Sequence, residues 1–184
     1  MKPLLNDTQN QEIKVIIVGL ENAGKTTIVD VLSKEDNNAP EKPPNMIPTK
    51  GVERKSLFQK KVMIWDFGGQ ESFRNEYLGN SEKYFHSVSF LYYVVDIQDY
   101  YRVLSSTMYF MGVFNVVKKY SPDAKIIFLF HKTDPDFDTT LKNLKEKFLG
   151  IVEPKIKANN KSFIMYDTTI FDLNSIKTAF NQVR

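Results

Sequence analysis

The eight residues Gly19 to Thr26, GLENAGKT, limit the folds open to this chain more than any other stretch. They match G-x-x-x-x-G-K-[ST] and stand between a short apolar run, Ile13 to Val18, and a segment from Lys25 to Leu32 with a helical pattern. In that context, successive backbone N–H groups, opened by small residues and backed by a helix N-terminus, form a concave anion site suited to polyphosphate. Average residue usage produces the four fixed positions in a chain of this length about once in 100 to 200 sequences. Glu21, Asn22, Ala23, Gly24 and Lys25 form the loop, the last four offering their amides. Lys25 adds a point charge to the β- and γ-phosphates, the hydroxyl of Thr26 is positioned to ligate Mg²⁺, and Thr27 reaches the α-phosphate.

A second motif, WDFGGQE, closes another apolar stretch. A strand-end aspartate, Asp66, suits a Mg²⁺ held through water. Gly69 allows its backbone N–H close to a γ-phosphate, and Gln70 is placed to orient an attacking water. Thr49 ends the proline-rich run before it and can close over the metal, which makes that run a switch. A third motif, His131-Lys132-Thr133-Asp134, follows Phe128-Leu129-Phe130. It falls at the carboxyl end of a parallel strand, where open α/β sheets bind ligands. The Asp134 carboxylate can accept from the ring N–H and exocyclic amine of guanine, a donor pair adenine lacks. Lys132 is expected to lay its stem along the base. Thr168, Thr169 and Ile170, after the last strand, are expected to turn backbone amides toward the guanine carbonyl oxygen.

Between these motifs the pattern alternates. Strands are expected at Ile13 to Val18, Gly51 to Phe58, Lys61 to Asp66, Val88 to Asp96, Lys125 to Phe130 and Ser162 to Tyr166. The second and third flank Gln59 and Lys60 and read as an antiparallel hairpin. Helices are expected at Lys25 to Leu32, Ser72 to Phe85, Tyr100 to Tyr120, Thr139 to Leu149 and Asp172 to Val183, with Pro154 interrupting whatever follows the fourth. Ser33 to Lys50 holds four prolines and no hydrophobic period, and predicts an irregular, mobile loop. The fold class is α/β: a mostly parallel six-stranded sheet with one antiparallel strand and helices on both faces. A disordered lead-in, residues 1–12, and one domain, residues 13–184, complete the organisation.

Taken together, the motifs resemble Ras-superfamily small GTPases over nearly the whole length. GLENAGKTT, IPTKG and WDFGGQE are similar to the Arf and Arf-like branch, whereas SPDAK, HKTD and TTIFD resemble the Rag/Gtr branch. The resemblance implies a P-loop NTPase G domain that binds GTP and GDP with Mg²⁺ and hydrolyses GTP. It also implies two switches, about Asp36 to Thr49 and Gly68 to Asn80, with an activating protein, an exchange factor and effectors as partners. Most small GTPases place asparagine where His131 stands, as it does in Rag proteins. An imidazole replaces part of an amide's bonding, so weaker affinity or a response to pH below about 7 is expected. Ser33 to Lys50 contains no arginine, and slow hydrolysis without an activating arginine from a partner follows. Two other readings stay open: a module that holds GTP or GDP without hydrolysing it, and an ATP-dependent phosphotransferase. The second would need an arginine-rich lid, and the chain's arginines (Arg54, Arg74, Arg102, Arg184) form no cluster.

Composition excludes rather than selects. With 184 residues, 42% of them hydrophobic, the chain supports one full core. A net charge of +3 gives no case for a nucleic-acid partner. Without cysteine there is no disulfide, thiolate zinc site or prenylation, and Lys2 replaces the glycine that N-myristoylation requires. A monomer in the cytoplasm is expected, reaching a membrane only through partners. Aromatic residues around Tyr100 to Phe114 are expected to pack a wide buried stripe, and His86 to be no metal ligand.

Overall fold

The computed structural model describes residues 12–34, 39–40, 42, 46–58, 61–136 and 143–183. The expected lead-in, the hairpin tip at Gln59 and Lys60, the start of the first switch and the segment 137–142 lie wholly or largely outside them. The first strand, β1 (Ile13–Val18), is an apolar run because both its faces are covered. Ile16 and Val18 join one buried cluster, and Val15 and Ile17 join the other. The remaining strands are β2 (Val52–Leu57), β3 (Val62–Phe67), β4 (Phe90–Asp96), β5 (Lys125–His131) and β6 (Phe163–Thr168), in the spatial order β2-β3-β1-β4-β5-β6. β2 pairs antiparallel with β3, from Val52 opposite Phe67 to Leu57 opposite Val62, and every other pairing is parallel. The expected architecture, including the antiparallel strand, is what forms.

Helices α3 (Ser81–Phe85), α4 (Val103–Tyr120) and α5 (Asn143–Lys157) contribute Phe85, Phe110, Phe114 and Phe148 to the cluster on one face. Helices α1 (Lys25–Ser33) and α6 (Leu173–Ala179) supply Ile28, Val29 and Ile176 to the other. The buried tyrosines bring apolar bulk, and Tyr77, Tyr92 and Tyr93 keep their hydroxyls partnered, whereas the buried Tyr109 hydroxyl has no hydrogen-bond partner among the described residues. Tyr92 stacks on Phe180 at 4.1 Å and donates to the Ala179 carbonyl at 3.0 Å, while Tyr93 donates to the Ser106 carbonyl at 2.6 Å.

Several boundaries differ from expectation, among them the last helix, which ends at Ala179 and is followed by a separate 3₁₀ turn at Asn181–Val183. The segment expected as one helix from Ser72 is two, α2 (Glu71–Gly79) and α3, because Gly79-Asn80-Ser81 joins three poor helix formers and Asn80 leaves helical geometry at φ −107°, ψ 40°. The next helix begins as a 3₁₀ turn at Tyr100–Arg102 before α4. Helix α5 runs through Pro154. Its buried residues Leu144, Phe148, Val152 and Ile156 fall at every fourth position, and that stripe outweighs the lost hydrogen bond, whose would-be acceptor, on exposed Gly150, lies open to water.

Candidate functional site

The strand register brings every motif to one edge. Asp66 pairs beside Ile17 near the end of β1, and Asp96, His131 and Thr168 end β4, β5 and β6 in lateral register. The glycine-rich loop follows β1 directly. It turns through Asn22 at φ 62° and Gly24 at φ 92°, a conformation that favours glycine at the second position. Gly24 is also required sterically, since a Cβ there would stand 2.4 Å from Cδ2 of His131.

Lys25, 6% exposed, donates to the carbonyls of Gly19 at 3.1 Å and Leu20 at 2.7 Å. Burial pushes its ammonium down to about 8, partly offset by the charges of Asp66 and Glu21. Beside it the three expected metal ligands meet. The Thr26 hydroxyl donates to Asp66 Oδ2 at 2.6 Å and lies 2.7 Å from the Thr49 hydroxyl, which reaches the same carboxylate oxygen at 3.3 Å. Burial raises the pKa of Asp66, opposed chiefly by the Thr26 hydrogen bond, and its Oδ1 is buried with no hydrogen-bond partner. An orphaned carboxylate oxygen among hydroxyls is a hard, oxygen-only donor set of the kind Mg²⁺ takes, and no cluster of three acidic, histidine or cysteine side chains competes for a metal among the described residues.

Lys25, Thr26 and Thr49 line a cavity of about 220 Å³ that also takes in Glu21, Asn22, Gly24, Thr27, Met46, Pro48, Gly69 and Gln70. Ala23 is buried behind the loop instead. Glycine at position 69 has a steric reason besides the expected approach to a phosphate. Its carbonyl accepts from the Glu21 N–H at 3.1 Å, and a Cβ there would stand 2.2 Å from that nitrogen, so the second switch packs directly on the phosphate loop. Gln70 stands at the N-cap position of α2 without a side-chain capping bond and lines the cavity.

The base motif abuts the loop through His131, whose ring lies against Gly24 and whose Nδ1 is 2.9 Å from the Thr168 hydroxyl. Burial pushes this imidazole down to about 4, so it is neutral throughout the physiological range. The expected response to pH below about 7 is therefore corrected: the ring is shut away from the water that would stabilise its cation. Asp134 accepts from the Thr169 hydroxyl at 2.6 Å and from Gln98 Nε2 at 3.0 Å, leaving each oxygen a further lone pair. Lys132, at φ 67°, is anchored by Asp96 at 2.6 Å. The Thr169 amide does not turn outward as expected but donates to Ser175 Oγ at 3.1 Å, while Ile170 buries its side chain in the core.

Three residues escaped the sequence reading: Gln98 and Asp96, which brace the base motif, and Arg102, whose guanidinium bonds Glu21 in the phosphate loop. Their only sequence signal is position at or shortly beyond the end of β4, which finishes on this edge. The long aromatic helix is partly as expected: Tyr109, Phe110 and Phe114 are buried, whereas Tyr101, Leu104 and Met108 are exposed. His86 is exposed and bonds Ser87.

Comparison with known proteins reproduces the mixed resemblance. A family model described as the Gtr1/RagA G protein conserved region matches residues 14–184. Curated relatives include the ADP-ribosylation factor-like protein 3 of Chlamydomonas reinhardtii, 38% identical over 97 residues (52% of this chain, 49% of that protein). The ADP-ribosylation factor-like protein 8b of Arabidopsis thaliana is 38% identical over 91 residues, 48% of this chain and 45% of that protein. The matched stretch of the chain thus spans about half the length of these curated relatives. Among solved structures, the Arl6 BBS3 small GTPase from Trypanosoma brucei with bound nucleotide analogue GppNp superposes with a TM-score of 0.68 at 18% identity, over 94% of this chain and 95% of that one, and shares its fold.

Proposed function

The chain belongs to the Gtr1/RagA G-protein family, and from that premise we propose that it is a guanine-nucleotide switch that binds GTP and GDP with Mg²⁺ and hydrolyses GTP slowly by itself. The observation that carries this reading is the meeting of Thr26, Thr49 and Asp66 within hydrogen-bond distance beside buried Lys25, although the three come from α1, the proline-rich loop and β3.

In this reading the loop amides of Asn22, Ala23, Gly24 and Lys25 cradle the phosphates, and the Lys25 ammonium exchanges the Gly19 and Leu20 carbonyls for β- and γ-oxygens. Thr26, Thr49 and Asp66 would hold Mg²⁺, which would supply charge neutralisation on the phosphate oxygens. Gln70 orients the water that attacks the γ-phosphate. Asp134 reads guanine with the lone pairs left free by Thr169 and Gln98, and Lys132 lays its stem along the base with its head tied to Asp96. His131, neutral and packed on Gly24, joins the two halves of the site. Loss of the γ-phosphate frees Thr49 and Gly69, and effectors, an exchange factor and an activating protein read the two loops.

Calorimetry in Mg²⁺ tests the binding: GTP and GDP are expected to bind at least 10³-fold more tightly than ATP, from the unpaired carboxylate adenine would leave at Asp134. Single-turnover hydrolysis tests the switch, with Gln70→Leu expected to lower the rate at least tenfold at unchanged GTP affinity. Equal binding of ATP would overturn the guanine assignment. A Gln70→Leu chain as fast as the unaltered one would favour a site that holds nucleotide without catalysing its hydrolysis.

A further inference from the structure

Glu21 sets a negative charge inside a loop whose proposed task is to hold phosphates. It lines the 220 Å³ cavity beside Lys25 and Thr26, and its charge acts on the Lys25 ammonium. Uncompensated, that carboxylate would repel every polyphosphate entering the site. It is compensated by a residue 81 positions away. Arg102 Nη1 donates to Glu21 Oε1 at 2.7 Å and Nη2 approaches the Glu21 carbonyl at 3.4 Å, while Nε and Nη2 hold Asp99 Oδ2 at 2.5 Å. Asp99 thus fixes one edge of the planar fork and the phosphate loop receives the other, a geometry that lysine's single ammonium does not reproduce. The Arg102 and Glu21 side chains are 34% and 44% exposed, and ion pairs so exposed contribute little to stability. Their position at the mouth of the loop gives the pair a different use.

We propose that Arg102 is a positioning residue of the phosphate loop: by holding Glu21 it masks a carboxylate that faces the polyphosphate, and so sets how strongly the site prefers the more highly charged nucleotide. The inference rests on the guanine-nucleotide reading. The repulsion it removes grows with ligand charge, so its loss falls harder on GTP than on GDP. Glu21 also ties this device to the second switch, since its N–H donates to the Gly69 carbonyl at 3.1 Å. The phosphate loop, the Gly69 turn and the start of α4 therefore meet at one residue.

The test is equilibrium binding of GppNp and GDP, at fixed Mg²⁺, to the unaltered chain and to Arg102→Gln, Glu21→Gln and the double variant, with melting temperatures alongside. Arg102→Gln is expected to bind GppNp about tenfold and GDP about threefold more weakly, with a nearly unchanged melting temperature. Removing the unmasked acid as well, in the double variant, is expected to return both affinities to within about twofold of the unaltered chain, although no ion pair remains. Glu21→Gln alone is expected to bind GppNp at least as tightly as the unaltered chain, which tests the charge even if Arg102→Gln does not fold. Equal losses for both nucleotides that the double variant does not restore would show a mechanical tether and overturn the proposal, as would unchanged binding by Arg102→Gln or weaker GppNp binding by Glu21→Gln. An unaltered chain that binds neither nucleotide would overturn both this inference and the function it rests on.

Discussion

His131 shows how a single side chain changes meaning between sequence and structure. As a residue type it is the titrating group of neutral pH, but at 2% exposure, against Gly24 and Thr168, it is a neutral spacer held down to about 4. The sign of the consequence follows from proton binding. Between about pH 6.5 and 4 the unfolded chain takes up a proton that the folded ring refuses, so stability falls as pH drops through that window, by about 3 kcal/mol if the whole shift is realised. His131→Asn removes the group, and its melting temperature is expected to fall less than that of the unaltered chain across the same window. Parallel curves from the two proteins would mean that the ring titrates normally. Asp134 is legible from its position at the carboxyl end of a parallel strand rather than from its short motif, whereas the bracing by Gln98 has no signal, since an amide between strand and helix carries no pattern.

Among the elements, α5 tests the balance between local preference and burial. Proline costs about 3 kcal/mol in a helix interior, less in the last turn, and here it is carried by Leu144, Phe148, Val152 and Ile156, all fully buried. Pro154→Ala restores the N–H that can bond the Gly150 carbonyl, and is expected to stabilise the chain by about 1 kcal/mol, a rise of about 2–4 °C in melting temperature. A fall would show that the proline's constraint on the unfolded chain matters more than the missing bond. Strands were the more legible elements, because a sheet covered on both faces makes its inner strands nearly continuous apolar runs, as in Phe90–Asp96 and Lys125–His131. Helix ends were less so. The break at Asn80 and the 3₁₀ turn at Tyr100 depend on how each helix settles on α4 or the sheet, which periodicity does not encode.

For the molecule as a whole, the proposed ligand would contact loops that follow several strands, from the loop at residues 19–26 to residues 168–170, so its binding is expected to be coupled to the entire fold. GDP at one hundred times its Kd is expected to add about 2.7 kcal/mol of stability, roughly 5–10 °C in melting temperature for a domain of this size, in Mg²⁺ and not with adenine nucleotides. No shift with GDP would contradict a preformed site. No helix among the described residues is long and apolar enough to cross a membrane, and a buried cluster covers each face of the sheet. By itself the sequence determined the strand-loop-helix at Gly19 to Thr26, the sheet's parallel character and the placing of Lys25, Thr26, Asp66 and Asp134 near strand ends, because these depend on local backbone chemistry and on hydrophobic runs a few residues long. Only the tertiary structure decided that Thr26, Thr49 and Asp66 share one oxygen, that His131 is closed off from water, and that Arg102 covers Glu21. Those facts arise where segments distant along the chain are brought within about 3 Å by the packing of the sheet, and no local pattern records which side chains will meet there.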